Sequence, residues 1–225
     1  MEQYDNSAYQ KMVRDRVQRD FYILAVEQGL ALSVEKQLPI DKSGEPIPWY
    51  TYPSIEYLSK IDFSNLNIFE YGCGHSSLYW NKRGANVMSV DHDRNWVEKI
   101  MPLVPENRLL YRSEKKQYVY AIKEFDSPID VLVIDGIHRN ECAYISIPLL
   151  QQHSLVILDN SDWFPTVSEF LKSMGFFPID FNGFGPINHY CWTTSLFFRD
   201  FSFWVTKHAQ PIPIGGIRED DSFWK

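Results

Sequence analysis

A chain of 225 residues that is 44% hydrophobic can bury one sizeable core, and it holds no apolar run of about 18 residues, which argues against a membrane span. Its net charge of −7, spread without long acidic or basic blocks, argues against a nucleic-acid partner, whose phosphates call for a basic face. The three cysteines, Cys73, Cys142 and Cys191, lack metal-finger spacing and read as reduced thiols; with no apolar signal core in "MEQYDNSAYQKMVRDRVQRD", a cytoplasmic location is expected.

Val13, Val17, Phe21 and Leu24 recur at helical spacing and predict one amphipathic helix over residues 8–30, with Lys11, Arg14, Arg16 and Arg19 as a solvated face. Pro39, Gly44, Pro46, Pro48 and Pro53 then exclude a long regular element, and a short helix is expected over 54–60. From residue 67 short apolar runs alternate with helical stretches. Strands are predicted at 67–71, 86–90, 108–111, 130–134 and 155–158, and helices at 76–83, 95–103, 117–124 and 141–151. Gly84 is a natural helix stop, and "TVSEFLKSMG" ends a further helix at Gly175. "FFPIDFNGFGPINHYCWTTSLFF" reads as two strands joined by a loop, an antiparallel addition at the sheet edge. The expected fold is α/β and Rossmann-like, a doubly wound, mostly parallel seven-stranded sheet with an antiparallel edge hairpin and an N-terminal helical extension. The expected organisation is a helical and loop extension over 1–60, serving as lid or substrate side, a cofactor-binding domain over 61–205 and a tail over 206–225.

The stretch "NIFEYGCGHSSLYWNKRGANVMSVDHD" carries the chemistry. Gly72 and Gly74 follow the first strand, where glycine lets the backbone turn tightly and approach a ligand. Asp91 closes the second strand 19 residues after Gly72, placed to accept both hydroxyls of a ribose. A dinucleotide site would want a third glycine, and Ser77 stands in its place. An acid precedes the glycines instead, as Glu70-x-Gly72-x-Gly74. This pattern resembles the first motif of the class I S-adenosylmethionine-dependent methyltransferases, over roughly residues 67–198. The resemblance implies S-adenosylmethionine as cofactor, with Gly72 and Gly74 along its methionine portion, Glu70 supporting that loop, Asp91 on the ribose and Asp135 nearby.

The fourth strand ends at Asp135-Gly136 and the fifth at Asp159-Asn160, on the same edge as Gly72 and Asp91. This is similar to the metal-dependent catechol and caffeoyl-coenzyme A O-methyltransferases, which implies Asp135, Asp159 and Asn160 as ligands of Mg²⁺ or another divalent cation. The flanking "DGIHR" does not match those families closely. Helix capping or binding of loop amides is the alternative reading for both acids. His138, in the loop three residues past Asp135, offers a metal-free general base. His75 is expected to pack beside the cofactor, and His92 and Asp93 are given no chemistry.

Trp49, Tyr50, Tyr52, Trp163, Tyr190 and Trp192 border the same edge as candidate walls of an acceptor pocket, with core packing as the alternative for each. "WYTYP", "EYGCGHSSLYW" and "SVDHD" also look similar to bacterial methyltransferase-like proteins associated with surface polysaccharides. The expected function is O-methylation of a small hydroxylated acceptor such as a sugar or phenolic. No "NPPY"-like run follows the fourth strand, which disfavours exocyclic-amine methylation. A nicotinamide-dependent oxidoreductase and a non-catalytic binding module are the alternatives. The expected partner is a small molecule, with no nucleic acid and no membrane span; a homo-oligomer stays open.

Overall fold

The computed structural model describes residues 6–106, 108–210 and 212–216. Helix α1 (Asn6–Tyr22) passes through a π-helical turn, Ile23–Glu27, before α2 (Leu30–Lys36). The single helix expected over 8–30 is therefore broken. The break falls at Gly29, which has φ +84°, and a Cβ there would stand 2.6 Å from the backbone of Asp41. Of the stripe read as amphipathic only Leu24 packs on the core; Val13, Val17 and Phe21 are exposed, as is every described side chain from Ser7 to Tyr22.

Helix α3 (Tyr52–Leu58) leads into the alternating part of the chain. There follow β1 (Asn67–Tyr71), α4 (His75–Lys82), β2 (Asn86–Asp91), α5 (Arg94–Ile100), β3 (Leu109–Tyr111), α6 (Lys115–Tyr120) and β4 (Val131–Ile134). The chain continues through α7 (Arg139–Ser146), β5 (Leu155–Leu158), α8 (Pro165–Ser173), β6 (Phe177–Gly183), β7 (Trp192–Phe198) and α9 (Ser202–Val205). The sheet order is β3-β2-β1-β4-β5-β7-β6. β1 to β5 run parallel, and β7 is antiparallel to both β5 and β6. Three predicted helices are shorter than expected: the stretches 101–103, 121–124 and 147–149 tighten into 3₁₀ turns, the first around Pro102 and the last around Pro148.

Side chains alternate between two apolar layers, as strand geometry requires. Leu132 and Ile134 of β4 face a core with Tyr118, Ala143 and Leu171 from α6, α7 and α8. Val131 and Val133 face the other, with Leu58, Trp80 and Trp204 from α3, α4 and α9. The N-terminal segment is stitched to the edge hairpin. Thr51 donates its N–H to Thr194 Oγ1 at 3.0 Å and its hydroxyl to the Phe181 carbonyl at 3.0 Å, and Tyr52 N–H reaches the Phe184 carbonyl at 2.7 Å. After α9 the chain returns to the body: Ala209 N–H bonds the Lys60 carbonyl and Asp62 N–H the Lys207 carbonyl, both at 2.9 Å. Divisions at 60/61 and 205/206 thus pass beside hydrogen-bonded contacts, and residues 217–225 of the tail lie outside the described residues.

Replacing the fully buried Trp80 by alanine is expected to cost about 3–5 kcal/mol of stability. Val205→Ala, at a position 70% exposed, should stay within about 0.5 kcal/mol. Denaturant titration of both variants checks the assignment of the core.

Candidate active site

Strand order reverses between β1 and β4, so their connections leave in opposite directions and open a crevice at the carboxyl ends of the strands. Gly72 turns there at φ +91°, and a Cβ on it would sit 3.1 Å from the carbonyl of Asp135. A Cβ on Gly136 would sit 1.9 Å from the Tyr118 hydroxyl and 2.9 Å from Gly72 N. These two turns fit together only because neither carries a side chain.

Glu70, fully buried beneath the first turn, fixes its shape. Gly74 N–H donates to Ser77 Oγ at 3.1 Å, Ser77 in turn donates to Glu70 Oε2, and Ser89 donates to the same oxygen at 2.7 Å. Burial pushes the Glu70 carboxyl up to about 7 against the pull of its serine partners. Ser77, read only as a missing glycine, is the relay that caps α4 and ties the loop to Glu70. Its signal in the sequence was a hydroxyl three residues after Gly74, the capping position.

Asp91 binds across from β2. Its Oδ2 accepts the Cys73 N–H at 3.0 Å and its Oδ1 the Asp93 N–H at 2.9 Å. Trp96 Nε1 donates to the Cys73 carbonyl at 2.6 Å, and its ring lies beside Gly74. His92 stands on the other side of Asp91, Nδ1 to Oδ1 3.3 Å. Asp93 caps α5 by accepting the Asn95 N–H at 2.9 Å.

The ends of β4 and β5 are joined by a side chain that carried no weight in the sequence. Arg139, buried, donates to the Gly136 carbonyl at 2.9 Å, to the Asp159 carbonyl, and to Asp135 Oδ1 at 3.1 Å, and its guanidinium lies 4.7 Å from the Phe164 ring centre. Asp159 is buried and its Oδ1 accepts from Trp192 Nε1 at 2.9 Å and Thr194 Oγ1 at 2.5 Å. Burial pushes Asp135 up to about 6, with Arg139 opposing it; burial together with the neighbouring Asp135 lifts Asp159 well above the usual carboxylate range. The set Asp135, Asp159 and Asn160 fits a hard divalent cation poorly. Arg139 holds one carboxylate and two protein donors hold the other, and among the described residues no three acidic, histidine or cysteine side chains gather around one point.

A cavity of about 470 Å³ opens beside these groups. Gly74 and His75 line one side, Asp135, Asp159 and Asn160 its floor, and Trp49, Trp163, Tyr190 and Trp192 its aromatic wall. Trp163, Tyr190 and Trp192 form a ladder with ring centres 6.1 Å and 5.9 Å apart. Two of the six expected wall aromatics belong elsewhere. Tyr50 is fully buried in the core, and Tyr52 lines a separate groove with Pro53 and Glu56. His138 also stands apart from the cavity. It holds φ +55° at the start of α7, and its ring meets Tyr118 edge-on at 6.2 Å, with His92 edge-on to the same ring at 6.3 Å.

No family model matches the chain, and no curated protein matches it in sequence. Solved structures do match. The precorrin-6y C5,15-methyltransferase of Geobacter metallireducens GS-15 aligns with a TM-score of 0.52 and 12% identity, over 74% of this chain and 96% of that one. The fold is that of a class I methyltransferase. The C-terminal domain of the precorrin-6Y C5,15-methyltransferase of Rhodobacter capsulatus gives 0.49 and 12% identity, over 73% and 94% of the two chains. An rRNA methylase from Streptococcus thermophilus gives 0.46 and 11%, over 64% and 93%. At such identities the likeness is one of fold and carries no substrate. No helix among the described residues is long and apolar enough to cross a membrane.

The raised pKa of Glu70 makes stability depend on pH. Folding favours its protonated form, so this contribution is complete below the ordinary glutamate value of 4.5 and is lost as pH rises through about 7. Glu70→Gln is expected to flatten the decline in stability across that window, measured by denaturant midpoints at a series of pH values.

Proposed function

We propose that the chain is an S-adenosylmethionine-dependent methyltransferase that methylates an oxygen of a small hydroxylated acceptor, such as a sugar or a phenolic, in the cytoplasm. The observation that carries the reading is the adjacency, at one sheet edge, of the Gly72–Gly74 turn, the Asp91 carboxylate and the aromatic cavity over Asp135. The cofactor's groups suit this edge. An adenosyl amino acid brings ribose hydroxyls for Asp91 and an amino group for nearby carbonyls, and it has no pyrophosphate. The nicotinamide alternative fits less well. A pyrophosphate would need free N–H groups at the start of α4, and that of Gly74 is taken by Ser77.

When bound, S-adenosylmethionine supplies a methyl group made electrophilic by its sulfonium. Glu70, through Ser77, holds the Gly74 loop, against which the methionine portion would lie. Asp91 would hold the ribose. Asp135 lines the cavity and its pKa of about 6 leaves it ionised at neutral pH, where it would take the proton of an acceptor hydroxyl. Arg139 keeps this carboxylate in place and ionised. Trp163, Tyr190 and Trp192 hold a flat or ring-shaped acceptor and shed water from the cavity. The base is assigned to Asp135 over His138 because only Asp135 lines the cavity. The cavity lining carries the acids Asp135 and Asp159 and no lysine or arginine, which favours a neutral small molecule over a phosphate-bearing nucleic acid.

Calorimetric titration with S-adenosylhomocysteine tests the cofactor; the absence of binding at millimolar concentrations would overturn the reading, and nicotinamide nucleotides would be tried next. Asp91→Ala should weaken that binding by about 1.5–3 kcal/mol, the worth of hydrogen bonds to a charged group. Asp135→Asn should leave binding of S-adenosylhomocysteine within a few fold and abolish the rising acid limb of the turnover profile near pH 6. Turnover should survive excess chelator, and its loss would restore the cation at Asp135, Asp159 and Asn160.

A further inference from the structure

A backbone carbonyl of the N-terminal segment reaches the cofactor loop. Pro39 begins a short, closed turn: Ile40 bridges to Pro46, Asp41 N–H bonds the Glu45 carbonyl at 2.9 Å, and Asp41 Oδ1 accepts the N–H groups of Ser43 at 2.8 Å and Glu45 at 3.0 Å. Ser33 of α2 ties the turn down, its buried hydroxyl donating to the Ile40 carbonyl at 2.7 Å and accepting the Ile40 N–H at 3.2 Å. The Pro39 carbonyl accepts the Ile47 N–H at 3.1 Å, and His75 Nδ1 stands 2.7 Å from the same oxygen. A carbonyl oxygen only accepts, so Nδ1 carries the proton of this bond, and in the neutral ring Nε2 keeps the lone pair. Nε2 has no partner among the described residues, and the ring lines the cavity beside Gly74.

The amino-acid end of S-adenosylmethionine brings an ammonium group, whose N–H donors all need acceptors. On this side of the cavity the carbonyls are engaged. That of Cys73 accepts Trp96 Nε1 at 2.6 Å, that of Gly74 accepts the Leu78 N–H at 3.3 Å, and that of Pro39 has its two donors. Asp135 is paired with Arg139. His75, the first residue of α4, directly follows the Gly74 turn and carries an acceptor atom that the protein leaves unused. A hydrogen bond to a charged group is among the stronger ones a site can offer.

We propose that His75 Nε2 accepts a hydrogen bond from the ammonium group of the cofactor's amino-acid end, and that the Pro39 carbonyl is the positioning group that leaves the lone pair on this nitrogen. The inference rests on the methyltransferase reading and adds to it a residue that tells an adenosyl amino acid from a thioadenosine without the amino acid. No proton changes hands in this contact, and the ammonium group stays charged. The N-terminal segment then serves the cofactor through one hydrogen bond, since the turn at Pro39 decides which ring nitrogen of His75 is free.

Calorimetry on the full chain tests this with S-adenosylhomocysteine and with 5′-methylthioadenosine, which keeps the adenosine and the sulfur and lacks the amino acid. His75→Asn puts an amide nitrogen near the place of Nδ1 and nothing at that of Nε2, whereas His75→Gln puts an amide oxygen near the place of Nε2. In His75→Asn the affinity for S-adenosylhomocysteine should fall at least about tenfold while that for 5′-methylthioadenosine stays within about twofold. His75→Gln should regain most of the loss. The analogue 5′-S-(3-carboxypropyl)-5′-thioadenosine, which lacks only the amino group, should bind the parent and His75→Asn alike. Ring nitrogen NMR of the parent, with the His75 signals identified by their loss in His75→Asn, should place the proton on Nδ1. Equal losses for S-adenosylhomocysteine and 5′-methylthioadenosine would make His75 a support of the loop and overturn the proposal. Unchanged affinity for S-adenosylhomocysteine, a loss that persists with the amine-free analogue, or a proton on Nε2 would overturn it too. In each of these cases binding of S-adenosylhomocysteine to the parent keeps the methyltransferase reading standing; a parent that binds neither nucleoside at millimolar concentrations removes both.

Discussion

Two turns share one space at the centre of this protein, and the rest of the site follows from that contact. β1 and β4 are neighbours whose connections diverge, so a crevice between them is unavoidable. How deep the crevice goes depends on how closely the turns after the two strands approach. Gly72 lies against the backbone of Asp135, and Gly136 against Gly72 and the Tyr118 hydroxyl. With the turns locked this way, the Gly74 loop, Asp91 and Asp135 come to one edge of the sheet.

Burial of acids is the second organising feature. Glu70, Asp135 and Asp159 are all raised by desolvation, and a single buried guanidinium, Arg139, stands among the last two. An unpaired charge in such a place is costly, so each acid is either hydrogen-bonded in a network or paired. The three therefore differ in character. Glu70 is held by serine hydroxyls and acts as a structural post. Asp159 is bound by Trp192 and Thr194 and braces the aromatic wall. Asp135, paired with Arg139, keeps a face toward the cavity and a pKa suited to proton transfer. The same arrangement explains why a cation is a poor fit, since the protein's own donors already meet the negative charge.

Neighbouring residues can have opposite fates in the segment that crosses this edge. Trp49 lines the cavity while Tyr50, beside it, is fully buried, and Gly185 is squeezed between the Tyr50 carbonyl and the Trp192 ring. Hydrogen bonds from Thr51 and Tyr52 to the edge hairpin fix which way each of these side chains turns. The wall of the cavity is thus assembled from two distant parts of the chain, joined at the hairpin.

Much of the architecture is written locally and was legible. The apolar runs at 67–71, 130–134 and 155–158, the helix-stopping glycines and the Glu70-x-Gly72-x-Gly74 pattern depend on residue type and spacing, which a sequence displays directly. The placement of Asp91, Asp135 and Asp159 at one edge followed from strand ends in a parallel sheet. What the sequence could not display was any property that depends on which atoms meet across the fold. Val13, Val17 and Phe21 have helical spacing, but whether a helix face is covered is decided by distant chain. Tyr50 and Trp49 are equally plausible as wall residues until the hairpin bonds orient them. Arg139 carries no signal of its own in the sequence, and only the fold closes Asp135, Gly136 and Asp159 around it; only the fold, too, sets the His138 ring beside Tyr118 and outside the cavity lining. Local pattern determined the fold and which acids reach one sheet edge; long-range packing alone decided which side chains face the cavity and which are held by partners inside the protein.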